Sequence, residues 1–299
     1  MSAAALYDEL RARLTAGLTT LPDKPEETAD STLRALWFTA AGTPKSAESA
    51  SRAELPMLDQ RSESELRASI ERRLSGIPLA HITGRQQFMG IEMLAGPEAL
   101  IPRKETELLV RAAVEIAAEA VEKRGRATMV DTCTGSGNIA LTVAQLAPGT
   151  RVFAADISED SLDLARRNAR FLGLENHVEY FNGDLLTPFD TPEFHNAVDL
   201  LTCNPPYINS AKVKQMPREV SAHEPRLAFD GGLFGVAIII RLINEAPRLL
   251  RQGGWLAAEI GLRQGPVLGK LLKKNPAYEE VRMLKDETGA VRAIMARCR

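Results

Sequence analysis

The sequence predicts an α/β fold, a sheet of parallel strands with helices on both faces, preceded by a small helical domain. Three observations predict it. Strand and helix patterns alternate from Ala127 onward, which is how parallel sheets are built. Near the start, Leu6, Leu10, Leu14 and Leu18 recur at helical spacing. Between these regions Gly84, Gly90 and Gly96 divide residues 76–102 into short apolar pieces, as in a hairpin linking two domains.

A chain of 299 residues is expected to hold one large domain and a smaller one. The boundaries read as 1–80 for the helical domain, 81–103 for the hairpin linker and 104–299 for the sheet domain. In the first, residues 64–74 form a second charged helix, and Pro- and Ser-rich pieces at 22–25 and 43–51 separate the helices. Residues 105–123 then read as a helix with apolar positions Leu108, Leu109, Ala112, Ala113 and Ile116. The alternating elements follow as ATMVD, a helix from Ile139, RVFAAD, a helix from Leu162, HVEYF and VDLLTC. After a long loop come a helix from Val236, the strand GWLAAEI and a last strand near residues 291–296. No internal repeat interrupts the pattern.

Composition narrows the function classes. Hydrophobic residues at 44% and charged residues at 25% are ordinary for a globular protein with a sizeable core. Thirty-seven Lys and Arg against 39 Asp and Glu give a net charge of -2, which argues against a protein built to neutralise a phosphate backbone. Cys133, Cys203 and Cys298 form no CxxC pair, so no disulfide framework or metal site is predicted and a reducing compartment fits. The apolar run at 236–240 stops at Arg241, too short to span a bilayer, and the opening MSAAALYDELRARL lacks a signal-peptide core. A cytoplasmic protein is expected.

The first strand runs into the loop Asp131, Thr132, Cys133, Thr134, Gly135, Ser136, Gly137, and a helix opens at about Asn138. Glycines there let a ligand approach the backbone, and the helix start offers free N–H groups. Asp156 ends the second strand, where an acid can accept hydrogen bonds from both hydroxyls of a ribose. The letters Gly135-x-Gly137-x-x-Ala140 also satisfy a dinucleotide fingerprint, so the loop alone leaves NAD and S-adenosylmethionine both open. After the third strand, Asp184 can accept from an adenine amino group while Leu185 covers the ring; taken singly, such an acid is more often a solvated turn or helix cap. The ordered set Gly135, Asp156, Asp184 and Asn204 lies at successive strand ends, along the edge where open α/β sheets bind ligands.

The fourth strand ends in Asn204, Pro205, Pro206 and Tyr207. Two prolines cannot continue a central strand, and a plain turn explains them. Chemistry explains more of the stretch. A planar NH2 group awaiting methylation needs two acceptors; the Asn204 side-chain carbonyl and the Pro205 backbone carbonyl can supply them, with Tyr207 packing on the flat group.

NPPYI, with DTCTGSGNIAL, IPRKETELLV, HEPRLAFDGG and AAEIGLRQG in this chain, resembles the HemK/PrmC family of protein-(glutamine-N5) methyltransferases. The similarity runs from about Gly76 to the C-terminus. It implies a Rossmann-like class I methyltransferase sheet, S-adenosylmethionine as cofactor and S-adenosylhomocysteine as product. It implies a helical substrate-recognition domain, and as substrate the glutamine of the GGQ loop of peptide chain release factors; a related branch acts on a ribosomal protein. By the resemblance Cys133, Thr134, Gly135, Ser136, Gly137, Asp156, Asp184, Leu185 and Asn204 contact the cofactor. Asn204, Pro205, Pro206 and Tyr207 grip the glutamine amide, and Phe88, Arg103 and Thr106 line the substrate side. His223-Glu224-Pro225 either shapes the loop over the site or is plain loop structure.

Four positions depart from the family's commonest pattern. Cys133 stands where glycine is usual, His81 for Tyr, Met89 for Trp and Lys104 for Pro. The last three bear on the substrate. A free small molecule with an amide, amine or guanidine group is therefore a rival substrate, and a nucleic-acid adenine, stacked on Tyr207, a weaker one. A dinucleotide oxidoreductase leaves residues 204–207 unexplained, and a noncatalytic cofactor-binding module remains the other alternative.

Overall fold

Leu6, Leu10 and Leu14 are all buried on one stripe of the helix Ala3–Gly17, as their spacing requires. The computed structural model describes residues 2–213, 215–232 and 235–299. The chain divides into two compact units. The first comprises Met1–Pro97, Ile101–Lys104 and Pro217–Glu224; the second comprises Glu98–Leu100, Glu105–Met216 and Pro225–Arg299.

In the first unit, Ser2, Thr28, Ser46 and Asp59 cap the helices Ala3–Gly17, Ala29–Ala40, Ala47–Ser51 and Gln60–Leu74 by accepting backbone N–H bonds. Leu33, Leu36 and Trp37 from Ala29–Ala40 meet Leu66 and Ile70 from Gln60–Leu74 in its core. Residues 43–51, read as a spacer, contain the short helix Ala47–Ser51: Ser46 caps it, and Ala47 and Ala50 bury its inner face. A further turn of helix, Leu79–Thr83, precedes the hairpin β1 (Arg85–Phe88) and β2 (Ile91–Leu94). Met89 and Gly90 both have positive φ, 51° and 78°, the conformation a two-residue hairpin turn demands.

This unit also buries charge. Arg73 donates to Glu27 at 2.9 Å and to Glu219 at 2.9 Å, and Lys24 donates to Glu219 at 2.7 Å. Burial raises the Glu219 carboxyl, but Lys24 and Arg73 outweigh it and hold the group below its ordinary range. Lys104 pairs with Glu26 at 2.9 Å and Glu48 at 3.0 Å, which gives this lysine a structural role.

The second unit is built on seven strands in the order β5-β4-β3-β6-β7-β9-β8. They are β3 (Ala127–Thr132), β4 (Thr150–Asp156), β5 (Val178–Asn182), β6 (Val198–Cys203), β7 (Leu250–Glu259), β8 (Tyr278–Lys285) and β9 (Val291–Cys298). β3 to β7 pair in parallel, whereas β9 runs antiparallel to both β7 and β8. The sheet is therefore mixed where a parallel one was expected, and β8 was not foreseen. Its sequence YEEVRMLK carries charges on an edge strand that is only partly buried, so it lacks a core strand's apolar run. The turn from Lys285 to Val291 is too short for a crossover and forces the reversal.

Order along the sheet reverses about β3, whose neighbours are β4 on one side and β6 on the other. The carboxyl ends of the five parallel strands share one edge, and the crevice at such a reversal is where this architecture binds ligands. Among the described residues no helix is long and apolar enough to cross a membrane.

Candidate active site

The loop after β3 is held from beneath by a buried carboxylate. Asp131, fully buried, accepts the hydroxyls of Thr134 and Thr202 at 2.6 Å each. Burial pushes its pKa up to about 6 against the pull of those two donors. Asn168, also buried, donates to the Ser136 carbonyl at 3.0 Å, and Thr134 N–H donates to Ala155 O at 3.0 Å. Cys133 has φ 56°, a left-handed conformation that favours glycine. That accounts for the usual residue at this position and marks the cysteine as a strained substitute. Gly135, Ser136 and Gly137 lead into the helix Asn138–Leu146.

Asp156, at the end of β4, faces this loop. Its Oδ2 accepts Gly135 N–H at 2.9 Å and its Oδ1 accepts Ser158 N–H at 3.0 Å. A carboxylate has about four lone-pair positions, so two backbone bonds leave acceptors for a ribose diol. A Cβ built on Gly135 would meet only Ala99 Cβ, at 3.9 Å, so the backbone there is open to close approach. Both observations fit an S-adenosyl nucleoside. Burial raises the Asp156 carboxyl, while the N–H groups of Ser158, Gly135 and Ile157 oppose the rise.

Past β5, Leu185 has φ 53°, and its carbonyl accepts the Thr132 hydroxyl at 2.8 Å. Its side chain is 4% exposed within the core, while the Asp184 side chain, 56% exposed, pairs with Arg241 at 2.6 Å. The adenine contacts expected of these two residues remain proposals.

Beyond β6 the expected amide-gripping residues meet a partner that sequence reasoning missed. Tyr207 Oη donates to Glu259 Oε1 at 2.8 Å, and Thr106 Oγ1 donates to Glu259 Oε2 at 2.6 Å. Asn204 Nδ2 donates to Thr106 Oγ1 at 3.2 Å. Glu259 closes β7 and is 3% exposed. Burial raises its carboxyl, with the Thr106 and Tyr207 hydroxyls opposing; burial and the nearby Glu259 charge raise the Tyr207 phenol, which stays a neutral donor. The missed signal was present: the strand-end rule that selected Asp156 and Asn204 applies equally to the acid in AAEIG.

The turn itself is clamped by two further segments. Gln264 Nε2 donates to Tyr207 O at 3.3 Å and to Gly235 O at 3.0 Å, and its Oε1 accepts Gly261 N–H at 2.8 Å. A Cβ on Gly231 would fall 2.4 Å from Pro206 O, and one on Gly235 2.2 Å from Tyr207 O. The glycines at these two positions are thus required by the passage of the Asn-Pro-Pro-Tyr backbone.

Phe88 and Arg103 belong to the first unit. Phe88 is 1% exposed, and Arg103 donates to Glu224, whose Oε2 also accepts Ile101 N–H at 3.0 Å. Glu224 of the His-Glu-Pro stretch thus has a structural role in that unit.

Residues 109–238 match the methyltransferase small domain family. A release factor glutamine methyltransferase of Moorella thermoacetica is 40% identical over 228 residues, 76% of this chain and 77% of that protein. One of Gloeobacter violaceus is 36% identical over 219 residues, 73% of this chain and 74% of that protein. Among solved structures, human methyltransferase 10 domain containing protein superposes with a TM-score of 0.50 at 16% identity, covering 69% of this chain and 88% of the other, a likeness of fold.

Proposed function

Since the chain belongs to the release factor glutamine methyltransferase family, and is an S-adenosylmethionine-dependent methyltransferase, we propose that it methylates a glutamine side-chain amide in the GGQ motif of a peptide chain release factor. The observation that carries this reading is the orientation of Asn204. Its NH2 group is committed to Thr106 at 3.2 Å, so Oδ1 is turned away as an acceptor, which is what a substrate NH2 requires.

When bound, S-adenosylmethionine would supply an electrophilic sulfonium methyl group and leave as S-adenosylhomocysteine, and the proton of the methylated nitrogen would pass to water. Loop residues Cys133 to Gly137, with Asp156, Asp184 and Leu185, hold the nucleoside in this account. Asn204 Oδ1 and Pro205 O accept the two N–H groups of the glutamine, and Pro206 stiffens the turn. Tyr207 presents its ring to the flat amide. An amide nitrogen is a weak nucleophile, since its lone pair is delocalised into the carbonyl; orientation and preorganised acceptors therefore do most of the catalysis. No strong base is needed.

The helical first unit, with Phe88 and Arg103, is the proposed recognition part for the protein substrate, and the cytoplasm the proposed setting. Neither a membrane nor a nucleic-acid partner is part of this reading. Methyl transfer to purified release factor, measured alongside S-adenosylhomocysteine binding, tests it. Asn204→Ala is expected to abolish transfer in a protein that still folds; near-normal transfer by that variant overturns the assignment.

A further inference from the structure

The hydroxyl of Thr106 has one hydrogen, and Glu259 Oε2 takes it at 2.6 Å. Its oxygen is then left to accept, and Asn204 Nδ2 donates to it at 3.2 Å. This order fixes the Asn204 amide in one of its two orientations, with NH2 toward Thr106 and Oδ1 away. The second oxygen of the same buried carboxylate takes the Tyr207 hydroxyl at 2.8 Å.

We propose that Glu259, acting through Thr106, is the positioning residue that sets the Asn204 side chain as an acceptor for the substrate NH2 group and anchors Tyr207 beside it; this rests on the glutamine-gripping role of Asn204 given above. Ionised Glu259 only accepts, and so dictates the direction of every bond in the relay. A protonated Glu259 donates through Oε2 to Thr106, whose hydrogen then turns toward Asn204. The amide satisfies it by rotating Oδ1 inward, and the substrate meets a donor in place of an acceptor.

The groups facing Glu259 make that switch reachable. Burial raises its carboxyl, and Glu105, just before the helix Thr106–Arg124, adds a second upward push. Thr106, Tyr207 and Arg292 of β9 act downward. The net direction is upward, so turnover falls as pH drops through the raised value and is restored as Glu259 ionises.

The test uses the full chain with S-adenosylmethionine and purified release factor. Glutamine offers one acceptor and one NH2 donor, so Glu259→Gln cannot accept both hydroxyls. It is expected to lower kcat about a hundredfold, leave S-adenosylhomocysteine affinity unchanged and remove the acid limb of the kcat profile. Thr106→Val is expected to lower kcat similarly, and Thr106→Ser, which keeps the hydroxyl, to recover most of the loss. A wild-type kcat and pH profile in Glu259→Gln, or no recovery by Thr106→Ser, overturns the relay. If Asn204→Ala is inactive while Glu259→Gln is normal, the relay alone fails; if Asn204→Ala is active, the grip beneath it fails. A readout that needs no substrate is the Asn204 side-chain 1H–15N signal, assigned by its loss in Asn204→Ala. It is expected to titrate with pH in the wild type and not in Glu259→Gln, and a wild-type signal insensitive to pH contradicts the proposal.

Discussion

Asp156 accepts the backbone N–H of Gly135 at 2.9 Å, so one carboxylate anchors the loop after β3 and still has lone pairs for the proposed ribose contact. Asp156→Ala removes both the anchor and the proposed ribose acceptors. With charge-assisted hydrogen bonds worth about 1.5–3 kcal/mol each, S-adenosylhomocysteine is expected to bind about 10–100-fold more weakly by isothermal titration. Unchanged affinity contradicts the role given to this strand end.

Gly235 lies where a Cβ would sit 2.2 Å from the Tyr207 carbonyl oxygen, at a φ of 65°. Gly235→Ala must displace the turn, by strain and by contact at once. Turnover is expected to fall about a hundredfold with the far-ultraviolet circular dichroism preserved, because small misplacements of a gripping group are costly. Normal turnover in this variant shows that the clamp on Tyr207 is dispensable.

Asp131 has its pKa pushed up to about 6 by burial. A carboxyl raised in the folded state is protonated there while the unfolded chain is already ionised. Folding then takes up a proton between about pH 4 and 6, and stability from this group falls as pH rises through that window. Asp131→Asn removes the charge at constant shape. Its stability relative to wild type is expected to be about 1–2 kcal/mol more favourable at about pH 7.5 than at about pH 4.5, read from denaturant unfolding. A difference that does not vary with pH contradicts the assignment.

Arg73 bridges Glu27 and Glu219 in the first unit. Arg73→Met leaves two buried carboxylates with Lys24 alone, and breaking such a cluster costs about 3–5 kcal/mol. Thermal or urea unfolding is expected to show that loss. Wild-type stability in the variant means the cluster relaxes into solvent.

How much of this was legible in the sequence follows from the range of each interaction. Local signals carried the helix Ala3–Gly17, the strands β3 to β7 and the loop at Gly135, since periodicity and turn chemistry act within a few residues. β8 escaped because an edge strand with charges on its open face has no apolar signature. The pairing of Arg73 with Glu219 spans 146 positions, and that of Thr106 with Glu259 spans 153, separations across which one sequence carries no pairing signal. Asn204 and Tyr207 were readable because the motif names them. Glu259, which bonds Tyr207 directly and reaches Asn204 only through Thr106, was passed over although it ends a strand on the same edge.

The central claim concerns which nitrogen receives the methyl group. Intact-protein mass spectrometry of purified release factor, incubated with this enzyme and S-adenosylmethionine, addresses it most directly. The expected result is a gain of one methyl group that disappears when the glutamine of the GGQ motif is replaced. A gain that survives that replacement, or no gain by an enzyme that still binds S-adenosylhomocysteine, contradicts the account.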